Sequence, residues 1–158
     1  MSYPLKATLV VLSLLCGVAE SAVGGPFEDG LKAFEGGNYR TAMRLWRPLA
    51  AGGHARAQYN VGVMYEEGLG VPIDYTEAVG WLLQAAEQGN AEAKNHLGFL
   101  YLYGRGVSHD YVSAYMWFDL AASEGNMRAV FARDLVAAKM TPLQVTAAQQ
   151  LARAWKSK

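Results

Sequence analysis

The sequence predicts an all-α protein, a solenoid of about four helix hairpins, and three features predict it. A shift of 36 sets residues 55–90 over residues 91–126 with 15 identities and no gap. Apolar residues recur at helical spacing, as in Ala57, Val61, Met64 and Tyr65. No alternating segment competes for a strand. A self-similar period of this length marks a stacked array, in which a unit buries its apolar face only against its neighbours.

Composition narrows the class before any element is placed. The chain has 158 residues, enough for one domain with a core. Lys+Arg and Asp+Glu are both 14, so no basic surplus exists to hold nucleic acid through its phosphates. Apolar residues make up 52%, which excludes a wholly disordered chain. A single cysteine excludes an intramolecular disulfide and a Cys-based zinc site.

Residues 1–22 differ from the rest. Lys6 precedes an apolar run from Ala7 to Val18, and small residues follow it. That pattern predicts a signal peptide over 1–19, cleaved after Ala19 or Ser21. The run is too short for the roughly 20 apolar residues that span a bilayer. Leu15 before Cys16 does not suit lipid attachment, so cleavage leaves a cysteine-free chain. Export to the bacterial periplasm is the expected destination. The alternative is an inner-membrane anchor over residues 7–19, which is also the one route to membrane contact.

The repeat domain then runs over 26–156, in units of about 26–53, 55–90, 91–126 and 127–156. Its first unit joins helices 26–35 and 39–51 by a short link, Gly36-Gly37-Asn38. The second joins 55–67 to 75–88. Gly68 and Gly70 suit positive φ at a helix end, and Asp74 stands at the next N-cap, with Glu77 at capping-box spacing. The third repeats this in 91–103 and 111–124, with Gly104, Gly106 and Asp110. Gly62 and Gly98 recur inside the first helices of these two units. Trp81 and Trp117 supply bulk between helices, so alanine at either should cost about 3–5 kcal/mol. The fourth unit joins 127–139 to 142–156. Thr141-Pro142-x-Gln144 opens its last helix with a capping Thr, a first-turn Pro and a reciprocal Gln.

The run Ala57-Gln58-Tyr59-Asn60-Val61-Gly62, Tyr65, Gly68-Leu69-Gly70-Val71, Asp74-Tyr75, Ala78, Trp81 and Ala85-Ala86-Glu87-Gln88-Gly89 closely resembles the Sel-one-like repeat (SLR), a relative of the tetratricopeptide repeats. Residues 91–126 match again, with Asn95-His96 in place of Tyr-Asn. Residues 27–53 look more like a tetratricopeptide unit. The resemblance implies a right-handed α/α superhelical solenoid that binds other proteins or peptides. It does not imply one partner, because such scaffolds are reused for many.

No residue set points to catalysis. His54, His96 and His109 share no metal-ligand spacing, and no H-E-x-x-H or G-x-S-x-G occurs. Gly68-x-Gly70 and Gly104-x-Gly106 lack the strand and the further residues that a phosphate loop needs. No catalytic residue, metal site or cofactor is therefore expected. The basic end, Arg153 to Lys158, suits a helix C-terminus more than a nucleic-acid arm.

The candidate site is a second stripe on the first helices, which line the concave face in tetratricopeptide-like arrays. It comprises Tyr59, Val63 and Glu66, then Asn95, Phe99, Leu102 and Tyr103, with Leu31 and Phe34 in the like place in the first unit. Either these residues line a groove for a protein or peptide, since aromatic anchors are typical of binding hot spots, or they pack on the next unit. Three functions follow: an exported non-catalytic interaction module, an accessory structural subunit docking by its outer face or ends, and a hydrolase. The hydrolases proposed among SLR proteins resemble a cysteine-rich, disulfide-linked subset, and the mature chain expected here has no cysteine.

Overall fold

The computed structural model describes residues 24–156, so the expected signal peptide and Cys16 lie outside the described residues. Eight helices follow one another: α1 (Pro26–Glu35), α2 (Tyr39–Ala51), α3 (Ala55–Glu67), α4 (Tyr75–Glu87), α5 (Ala91–Tyr103), α6 (Tyr111–Ser123), α7 (Met127–Ala137) and α8 (Pro142–Lys156). No strand occurs among the described residues. The close-packed pairs run α1–α2, α2–α3, α3–α4, α4–α5, α5–α6 and α6–α7, the zigzag of a solenoid.

Side chains set where α2 to α8 start, whereas α1 begins after Gly25 without a side-chain cap. Asn38 accepts the Thr41 amide, Asp74 those of Thr76 and Glu77, and Asp110 those of Val112 and Ser113. His54, Asn90 and Asn126 hold one repeat position and cap α3, α5 and α7 alike. His54 manages this with Nδ1, which accepts from the Ala57 amide at 3.2 Å. The expected box between Asp74 and Glu77 does not close. The Asp74 amide goes to the Tyr65 carbonyl, and Glu77 accepts from the Trp81 indole instead. Thr141 and Gln144 do exchange hydrogen bonds, at 2.8 and 3.3 Å.

Each of the first three hairpins closes on a glycine. A Cβ at Gly30 would stand 2.2 Å from Trp46, at Gly62 2.8 Å from Leu82, and at Gly98 2.4 Å from Phe118. The first helix thus offers a notch, and the second fills it with a large side chain. The link between units is equally tight. Gly68 and Gly104 end α3 and α5 in the left-handed region, and the next amide reaches back to Met64 or Leu100. Gly70 then lies on the Tyr39–Arg40 peptide and Gly106 on the Tyr75–Thr76 peptide, so both glycines seat one unit on the backbone of the unit before it.

Three apolar clusters fill the array. Phe27, Met43, Trp46, Val61 and Met64 form the first. Leu82, Leu97, Leu100, Trp117 and Leu120 form the second, and Tyr115, Phe118, Val136 and Ala148 belong to the third. Trp46 is the largest fully buried side chain, and its indole donates to the Phe27 carbonyl at 3.1 Å. Trp117 is buried and meets Trp155 edge to face at 4.8 Å. Trp81, by contrast, is only half-buried, at the margin of the first cluster.

The fourth unit departs from the pattern. α7 stops at Ala137, two residues before its expected end, and α8 packs on α6, not closely along α7. Ala148 joins the third cluster and Ala152 the second. Beyond α7 no further unit covers Phe131 and Leu135, which stay 68% and 70% exposed. No helix among the described residues is long and apolar enough to cross a membrane.

Candidate functional site

The first helices share one face, and two depressions open on it. The smaller, of about 280 Å³, lies between α1 and α3 and is lined by Leu31, Phe34, Trp46, Tyr59, Asn60 and Val63. The larger, of about 530 Å³, spans α3, α5 and α7. Glu66, Asn95, Phe99 and Tyr103 line it, together with His96, Arg105, Arg128 and Phe131. The stripe seen in sequence is thus divided between two places, and part of it does both jobs. Phe99 stacks on Tyr103 at 6.2 Å on the open side and meets Phe118 edge to face at 4.9 Å on the inner side. Tyr59 packs against the second core cluster.

Two expected members stand apart. Leu102 lines neither depression and packs on the third cluster. It lies one turn beyond Gly98, on the side of α5 that faces α6. Asn95 reaches the larger depression but is only 4% exposed, and its Oδ1 has no hydrogen-bond partner.

A polar link joins two units at the wall of the larger depression. His96 Nδ1 lies 2.7 Å from Glu66 Oε2 and donates to that carboxylate. The other ring nitrogen, Nε2, faces the Tyr59 hydroxyl in a longer contact of 3.5 Å. Burial raises the Tyr59 pKa above its usual 10.0, and Glu92, Glu66 and Glu67 add to the rise while Arg128 opposes it. The trio ties α3 to α5. Among the described residues, no group of three or more His, Cys, Asp or Glu could hold a metal.

Five residues that line the larger depression, His96, Leu100, Arg105, Arg128 and Phe131, are not in the stripe read from sequence. Phe131 and His96 were within reach of the repeat register. The shift of 36 carries Tyr59 to Asn95 and on to Phe131, and Asn60 to His96. Arg105 and Arg128 carry no such signal, because Leu69 and Glu92 hold their places one unit earlier.

Comparison with known proteins agrees with the repeat and the helical fold. The Sel1 repeat family model matches residues 55–90 and 91–126. Chitin synthase regulatory factor 3 of Schizosaccharomyces pombe is 37% identical over 72 residues, 46% of this chain and 8% of that protein. Among solved structures, a protective antigen present in uropathogenic Escherichia coli strains displaying an SLR fold superposes with a TM-score of 0.80 at 34% identity, over 84% of this chain and 29% of that one. A Sel1 repeat protein from Oxalobacter formigenes gives 0.67 at 31% identity, over 72% and 46%. The chain therefore spans less than half the length of each of these relatives.

Proposed function

This chain carries two Sel1 repeats, units that generally serve protein–protein interaction, and we propose that it is a non-catalytic module that binds a segment of a partner protein along its first-helix face. One observation carries the proposal. The first helices of consecutive units present two aromatic-lined depressions on one face, and Tyr103 and Phe131 stand 61% and 68% exposed beside the larger. Exposed aromatic side chains beside a preformed hollow suit an extended or helical segment with apolar anchors. The scaffold is ordered by its own packing, so binding costs little backbone entropy. The proposed compartment is the periplasm, on the strength of residues 1–22 alone.

The choice of test residues follows from packing. Phe99 and Tyr59 also support the core, so losing either confuses binding with folding. Tyr103→Ser with Phe131→Ser removes exposed rings and leaves the clusters intact. A partner captured from periplasmic extract by the wild-type chain and lost by this double variant supports groove binding. Retention by both overturns it and favours the accessory-subunit reading. That second reading has its own observation: Leu143 and Leu151 on α8 are 79% and 47% exposed.

A further inference from the structure

Two arginines at the larger depression have no ion-pair partner among the described residues. Arg133 is engaged by Asp119 and Asp134 at 3.2 and 3.0 Å, and Lys94 is paired with Glu124. Arg105 and Arg128 line the depression, and neither forms an ion pair among the described residues. Arg105 lies over the rings of Tyr75 and Tyr103, 5.4 and 5.3 Å from their centroids. Such stacking holds a guanidinium flat and leaves its edge N–H groups free to donate.

One carboxylate also lines the depression, and it is already engaged. Glu66 accepts from His96, and Glu66, Glu67 and Glu92 all bear on Tyr59. Among the lining residues, Arg105 and Arg128 are thus the charges left without an ion-pair partner, while the one carboxylate, Glu66, is held by His96. Phe99, Tyr103 and Phe131 supply the depression's apolar surface.

We infer that the larger depression takes an acidic segment of a partner protein, an Asp or Glu side chain flanked by apolar residues. The carboxylate pairs with Arg105 or Arg128, which offer the planar fork that matches two oxygens. Its apolar neighbours lie on Phe99 and Phe131. A lysine in the same place would meet two like charges, and repulsion of that kind sets specificity more than affinity. The inference rests on the groove proposal above and adds the chemistry of the ligand.

The test is fluorescence anisotropy on the full chain with two labelled peptides of about 12 residues, roughly three helical turns. One alternates glutamate with leucine and phenylalanine; its twin has lysine at every glutamate. The expected result is at least ~10-fold tighter binding of the acidic peptide at low salt, a gap that narrows as salt screens the pairs. Arg105→Glu with Arg128→Glu should reverse the preference. Both side chains are exposed, so the variant should keep its melting temperature. An acidic preference unchanged in that variant overturns the inference. Equal binding of both peptides, lost on Phe131→Ser, also overturns it while leaving the groove in place. Binding of neither peptide overturns it too, and the capture experiment then decides the groove separately.

Discussion

Gly106 shows how far a single residue can fix the geometry between units. Its φ is +69°, and an added Cβ would lie 2.4 Å from the Tyr75 carbonyl oxygen. Gly125 also has positive φ, +91°, but faces open space. The pair separates backbone strain from close approach. Gly125→Ala should cost about 1–2 kcal/mol, the ordinary penalty of the left-handed region for an L side chain. Gly106→Ala carries the same penalty plus overpacking of about 1–3 kcal/mol, because a carbonyl in a helix cannot swing aside as a side chain can. Urea unfolding of both variants measures the difference. Equal losses would mean that the seat on the Tyr75–Thr76 peptide adds nothing. Sequence reading took Gly106 for a turn, which it is. Its second role was hidden because the contact joins residues about 30 positions apart.

Helices were legible because each boundary is written locally. Caps at Asp74, Asp110 and Asn90 and stops at Gly68 and Gly104 involve residues within one turn, and every observed end falls within two residues of expectation. What the helices bury was less legible, because that depends on the facing element. Trp46, Leu82 and Phe118 share a repeat position opposite Gly30, Gly62 and Gly98, yet the change of residue type concealed the equivalence. The two tryptophans expected to serve alike do not. Trp117 is 3% exposed between α5, α6 and α8, whereas Trp81 sits half-open with its indole on Glu77. Trp117→Ala should therefore cost about 3–5 kcal/mol, the range for a buried large aromatic. Trp81→Ala should cost about half that or less, since its surface is only partly withdrawn from water. Similar shifts in denaturation midpoint for both would contradict this division.

Across the whole molecule, stability should vary with how many neighbours a helix has. The core is three clusters strung along the array, so coupling passes from unit to unit without a single centre. The sequence foretold four similar hairpins. It did not foretell that α8 would lean on α6, nor that Phe131 would stand bare at the candidate groove and Leu135 exposed one turn further along α7. α6 is flanked by α5, α7 and α8, whereas α7 packs closely on α6 alone. Hydrogen exchange reads this directly. Amides of α5 and α6 should open only with the whole array. Those of α7 should exchange at least ~10-fold faster, a difference of about 1.4 kcal/mol in local opening. A groove wall of this kind, Phe131 and Arg128 on a helix held from one side, should then gain protection when a partner segment binds across α5 and α7. Uniform exchange across all eight helices would show one cooperative unit and remove the basis for a pliable wall.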